Sequence, residues 1–245
     1  MSYGYQREIP FSGAGLDIGE TFAAVMRHVY VWMCLGLLIT ALTAIAVVYT
    51  PLGNALLLFM LQTPLIFYGV LIGELVLVWG VTARMAHMSV GAARVWFLIY
   101  AILNGVTLSA IFLIYTTGSI ALTFVATASL FGVMAVIGYT TRMDLSKWGG
   151  YLLMALVGLL IASVVNMFLA SSGLEWILTY AGLLLFIALT VYDTQRIKRQ
   201  VQAAVAAGDS NVVQRVGLLG ALSLYLDFIN LFLRLLRILG RRRRS

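Results

Sequence analysis

Charge is scarce in this chain. Only 10% of its 245 residues are Asp, Glu, Lys or Arg, and 62% are apolar. A soluble domain carries about 25% charged residues, so an ordinary soluble fold is excluded and a polytopic membrane protein is implied. The single cysteine, Cys34, excludes an intramolecular disulfide. Two histidines and that one cysteine leave no cluster for structural zinc, and no EF-hand spacing of acidic residues offers a calcium cage. Also absent are a phosphate-binding glycine loop, a zinc motif and a serine nucleophile with a base, so no enzyme is expected. There is no low-complexity tract and no repeat of fixed period. Residues 1–28 hold Arg7, Glu8, Asp17, Glu20 and Arg27 without a short apolar stretch ahead of a cleavage site. They are expected to form a cytoplasmic N-terminal tail, not a signal peptide.

Long apolar runs fill the chain instead. Crossing about 30 Å of hydrocarbon takes roughly 20 helical residues, and runs of this order lie at 30–49, 65–83, 95–115, 120–139, 151–169, 177–192 and 218–239. They predict an all-α protein with seven transmembrane helices, a membrane domain over 29–240 and a basic tail at 241–245. Turn residues separate the runs: Pro51, Gly53 and Asn54; Gly118 and Ser119; Ser171, Ser172 and Gly173. Residues 196–207 can continue the sixth helix, Gly208 can stop it, and Asp209 or Ser210 can cap the next. Arg27, Arg84, Arg94, Arg142, Lys147, Arg196, Lys198, Arg199 and Arg215 mark one side of the membrane, and the opposite connections hold only Glu175. The net charge of +7 therefore belongs to cytoplasmic loops and not to a nucleic-acid surface, and the N-terminus is expected in the cytoplasm. Seven crossings then place 241–244 outside, against the positive-inside rule. A last helix that enters and returns would keep them inside, and the sequence leaves both arrangements open.

The last run carries a carboxylate in its middle. In GALSLYLDFINLFLRLLR at 220–237, a rotation of roughly 100° per residue brings Gly220, Ser223, Asp227, Asn230 and Arg234 within about 80° of one another. One polar stripe with apolar flanks predicts a helix at the centre of the bundle. Three carboxylates, Glu74, Asp193 and Asp227, fall within apolar spans, where each costs at least about 2.5 to 3.5 kcal/mol on the insertion scale. Asp193 sits near the cytoplasmic end of the sixth helix and Asp227 roughly 15 Å into the seventh, so a hairpin can bring them to similar depth. Two carboxyls meeting in a low-dielectric site share one proton, which makes a proton sensor. The plainer alternatives pair Asp193 with Arg196 or Lys198, and Asp227 with Ser223 or a backbone group. Glu74 lies beside a small-residue face formed by Gly69 and Gly73; Asn104 and Asn166, also mid-span, are candidate hydrogen-bond partners for it or for each other. His28 and His87 are expected as interfacial residues, and Trp32, Trp79, Trp96, Trp148 and Trp176 as anchors near span ends. The terminal RRRRS suits anionic lipid or serves as a topology signal.

The segment LSLYLDFINLF at 222–232, preceded by LTVYDTQRIK at 189–198, resembles the last two membrane helices of the Bax inhibitor family, the transmembrane Bax inhibitor motif proteins. The likeness extends more loosely through GVLIGELVLVW at 69–79 and the pair Asn104 and Gly105, and it points to bacterial-type members and hence the inner membrane. The resemblance implies a calcium leak made pH-sensitive by the aspartates at 193 and 227, with Arg84 as a basic latch on that site when the pore is shut. An ordinary positive-inside arginine is the alternative for Arg84. Calcium needs six to eight oxygen ligands. Asp193, Asp227, Asn230 and Ser223 supply too few for a closed cage, which fits weak binding or transit with water completing the shell.

Two readings compete with the channel. VYD at 191–193 and YLD at 225–227 have some likeness to intramembrane aspartyl proteases, whose chemistry also uses two carboxyls sharing a proton. Those enzymes carry a glycine-flanked aspartate on the second helix, whereas Tyr225 and Leu226 precede Asp227 here. The other reading is a regulatory protein that binds and restrains a membrane-bound protease, as some bacterial relatives do. The expected partners are therefore the lipid bilayer, calcium as the transported ion and, on the second reading, that protease; no cofactor is expected.

Overall fold

The computed structural model of the protein describes residues 18–84, 88–208 and 210–243. Apart from one isolated β-bridge, regular structure among them is helical: α1 (Ile18–Tyr49), α2 (Pro51–Gln62), α3 (Pro64–Arg84), α4 (Val90–Leu108), α5 (Ile111–Ile114), α6 (Thr117–Thr140), α7 (Gly149–Leu169), α8 (Ser172–Ala207) and α9 (Ser210–Leu239). A 3-10 turn at Ser146–Trp148 leads into α7. Among the described residues, seven spans are long and apolar enough to cross a membrane, with α4 and α5 forming one of them. The expected all-α, seven-span architecture holds.

Local chemistry explains where the elements differ from the apolar runs. The first helix is described from Ile18 onward, well upstream of the apolar run that starts at 30. Phe22, Met26, Val29 and Met33 are buried at helical spacing and carry the packed face back beyond the apolar run. Pro51, Gly53 and Asn54 open a helix where a turn was expected. The Thr50 hydroxyl accepts from the Gly53 N–H at 3.2 Å, and Pro51 takes the first helical position, where no N–H is needed. The third span breaks after Leu108 before the short α5. The sixth helix runs on to Ala207 and stops at Gly208, whose φ of 74° is the left-handed cap that glycine adopts at little cost. Asp209 and the side chain of Ser210, the candidate caps of α9, lie outside the described residues.

Lipid exposure separates the helices sharply. Buried residues make up 67% of the most apolar window of α9 but only 6% of that in the span containing α7. The chief packing partners of α9 are α8, α1, α6 and α4; α3 leans on α4, and α7 on α8. Tyr225, Leu224 and Leu231 are fully buried, whereas Phe168 on α7 is 79% exposed. Because lipid tails are as apolar as these side chains, close packing and interhelical hydrogen bonds hold the bundle together.

The C-terminus settles the geometry of the last helix. α9 is one continuous 30-residue helix, about 45 Å long, and it does not turn back. Beyond it, the Thr116 N–H donates to Arg241 O at 3.0 Å, the Arg243 N–H to Ile114 O at 2.9 Å, and the Arg241 N–H to Ser119 Oγ at 2.9 Å. Arg241, Arg242 and Arg243 thus lie with the α5–α6 connection. That end is opposite the α8–α9 turn and the basic loops; Arg244 lies outside the described residues.

Candidate functional site

The α8–α9 hairpin builds the first polar site. Thr190 and Thr194 on α8 turn their hydroxyls back on Phe186 O and Thr190 O, each at 2.7 Å, so neither is free for the carboxylate between them. The Asp193 side chain is 13% exposed, and its nearest basic partner, Arg196, stands one turn on at 3.9 Å, the long end of an ion pair. Lys198 is engaged elsewhere, donating to Tyr139 O at 2.8 Å. Asp227 is buried on α9, and its Oδ2 has no hydrogen-bond partner. The Asn230 amide donates to Leu226 O at 2.9 Å, and no hydrogen bond joins half-buried Ser223 to Asp227. The two carboxyls lie within electrostatic reach of each other across the hairpin. Close backbone approach makes this packing possible. A Cβ at Gly220 would meet Ile197 Cγ2 at 2.8 Å, and one at Gly138 on α6 would collide with Val191 O and lie 2.9 Å from Thr194 Cβ.

A loop clamp adjoins Asp193. The Gln195 amide donates to Met143 O at 2.7 Å and accepts from the Leu145 N–H at 3.0 Å, fixing the α6–α7 loop on α8. Arg199 pairs with Asp144 at 2.6 Å and also contacts Ser146 and Gln195. Hydrogen bonds from the Ser146 backbone and hydroxyl, then from Arg199, hold the Asp144 carboxyl below its ordinary range. Tyr192, Arg196 and Arg199 help to line a cavity of about 130 Å³ at this end of α8.

A second polar site joins α1, α3, α4 and α9. Glu74 is buried and accepts from the Thr107 hydroxyl at 2.9 Å, the closest of three acceptors within reach of that one proton, the others being Asn104 O at 3.0 Å and Leu103 O at 3.3 Å. Asn104 donates to the Tyr100 hydroxyl at 3.5 Å, leaving its buried Oδ1 without a partner. Tyr225 meets Thr40 hydroxyl to hydroxyl at 2.7 Å, and Thr40 donates to Ala101 O at 2.9 Å. Thr40, Tyr100, Thr107 and Tyr225 were not among the sequence candidates. Thr107 lies three residues after Asn104 on the same face of α4, a spacing that could have identified it.

The remaining candidates scatter. Asn166 does not join Glu74 or Asn104. It sits at the end of α7, where its Oδ1 accepts from the Ser171 N–H at 3.2 Å beyond Ala170, a residue with φ of 49°; the helix ends there, so a short polar side chain serves as its cap. Arg84 is exposed at the end of α3 and pairs with neither aspartate. His28 accepts from the Trp32 indole at 2.7 Å, and His87 lies outside the described residues. Among the described residues, no three of His, Cys, Asp and Glu come together as a metal site. A calcium ion at Asp193 and Asp227 would draw its other oxygens from water and backbone carbonyls.

The class this arrangement defines is a seven-span helical membrane protein with acidic groups inside its packed core. The chain matches the family model described as inhibitor of apoptosis-promoting Bax1 over residues 23–244, and it belongs to the Bax inhibitor family. It is 45% identical over 219 residues to inner membrane protein YbhL of Escherichia coli strain K12, covering 89% of this chain and 92% of that one. It is 42% identical over 218 residues to an uncharacterized protein of Borreliella burgdorferi, with coverage of 89% and 92%. It is 37% identical over 258 residues to uncharacterized protein RP147 of Rickettsia prowazekii, with 98% of each chain covered.

Proposed function

We propose that the protein is a pH-sensitive calcium leak channel of the inner membrane, gated by a proton shared between Asp193 and Asp227. The observation that carries this reading is the Asp227 carboxyl: buried, one oxygen unpartnered, with a second carboxyl in electrostatic reach. With one proton between them, the pair carries a single negative charge, which Arg196 partly offsets. Loss of that proton puts a second negative charge into a dry site. The hairpin must then separate, admit water or take up a cation. Calcium neutralises two carboxylates and brings water with it, because two side chains cannot complete its shell. The family membership and the inner-membrane relative support this reading. The crowding of basic residues at the hairpin end supports a cytoplasmic position for that face.

Calcium flux into liposomes containing the purified protein tests the proposal. A pH-dependent leak that loses or shifts its pH dependence when Asp227 or Asp193 becomes asparagine supports it. Flux absent from wild type and variants alike would favour the regulatory reading, in which the protein restrains a membrane-bound protease and needs no ion path.

A further inference from the structure

On the hairpin side of the bundle, α1 packs mainly on α4 and α9 and α6 on α8 and α9, and a groove is left between α1 and α6. Its volume is about 480 Å³, within the roughly 300–1,000 Å³ of ligand sites. Its wall on α1 runs from Ala23 to Met33, ten residue steps or about 15 Å of helix, and Arg27 lies four steps from its shallow end. From Arg27 to Met33 the wall is six residue steps, about 9 Å, which lies within one leaflet of a hydrocarbon layer about 30 Å thick. Phe22 stacks on Tyr139 at 6.2 Å and closes its shallow end towards water, while exposed Gly132 and Val136 leave its side open to lipid.

The shallow end is basic. Arg27 lines it, is exposed, and has no ion-pair partner among the described residues. Lys198 stands 4.8 Å over the ring of Tyr139, and exposed Arg142 follows just beyond α6. The carboxylate in that loop, Asp144, is already held by Arg199. An apolar slot contained within one leaflet, with cations at headgroup level that have no ion-pair partner among the described residues, fits a molecule with a long apolar tail and an anionic head. We propose that this groove binds an anionic phospholipid, with an acyl chain between α1 and α6 and the headgroup phosphate on Arg27. The occupied groove would also brace the bundle beside the aspartates, since the Tyr30 hydroxyl in its wall lies against Thr194, the neighbour of Asp193.

Native mass spectrometry of the delipidated full-length protein, titrated with phosphatidylglycerol or phosphatidylcholine, tests the site. Wild type should retain phosphatidylglycerol several-fold more strongly. Arg27→Gln should weaken that retention about fivefold, the equivalent of roughly 1 kcal/mol for one cation near a headgroup, and leave phosphatidylcholine unchanged. Gly132→Trp fills the groove from a position where a Cβ meets nothing within 4 Å, and it should weaken both lipids. If that variant does not fold, Val136→Phe on the same wall provides the same test. Equal retention of the two lipids by wild type, or phosphatidylglycerol retention unchanged by both kinds of variant, would overturn the proposal.

Discussion

Glu74 and Asp227 are both carboxylic acids buried in membrane helices, yet their surroundings differ in kind. Glu74 receives a hydrogen bond from the Thr107 hydroxyl of the neighbouring helix. Asp227 has an oxygen without a donor and a second acid within reach. A buried acceptor given a donor is satisfied by the fold, whereas a buried acid facing another acid is satisfied only by a proton or a cation. The difference suggests that burial alone does not mark a sensor; the company of the carboxyl does.

Removing the acid pair should break this contrast most severely. Asp193→Asn is expected to abolish or displace the pH dependence of calcium flux. The Asp193→Asn, Asp227→Asn double variant should add much less than the sum of the single effects, because on the proposed mechanism the two groups titrate as one unit. A double-mutant cycle on the flux profile measures this.

The next largest effect concerns the satisfied acid. Thr107→Val removes the donor to Glu74 and should lower stability by about 1–3 kcal/mol, the cost of an unpaired buried acceptor, while the pH profile of flux keeps its shape. Thermal unfolding in detergent reads the loss. Tyr225→Phe takes one hydroxyl from the pair with Thr40 and should cost about 0.5–1.5 kcal/mol in the same assay.

The smallest effect belongs to the exposed carboxylate. Asp144 is held below its ordinary value of 3.8 by Ser146 and Arg199. A group depressed in the folded state contributes stability above its unfolded value and loses it as pH falls through the folded one. Asp144 therefore stays ionised from about pH 5 to pH 8, and Asp144→Asn should leave the flux profile in that window unchanged.

The spans were legible because they depend on uninterrupted apolar length, and the end of α8 was legible because Gly208 is a strong stop. The start of α2 was misread: Pro51 looks like a breaker, but after a capping threonine it occupies a helix's first turn. Asn166 was assigned to mid-span pairing although the apolar run itself ends at 169, only three residues on, where α7 also ends; its place near the helix end was legible in the sequence and was overlooked. Thr107 escaped because a membrane threonine commonly bonds its own backbone, and its bond to Glu74 requires knowing which face of α4 meets α3. The position of the terminal arginines depended on their pairing with the α5–α6 connection, a contact between segments more than a hundred residues apart. The aspartates were identified as candidates from the hairpin sequence, but the missing donor at Asp227 is a tertiary fact.

The most direct test compares the two buried acids in one assay. Calcium flux into liposomes should be measured from about pH 5 to pH 8 for wild type, Asp227→Asn and Glu74→Gln. The account predicts a pH-dependent leak in wild type, the same midpoint in Glu74→Gln and a flat or displaced profile in Asp227→Asn. A flat profile in Glu74→Gln, with the wild-type midpoint retained in Asp227→Asn, would contradict it.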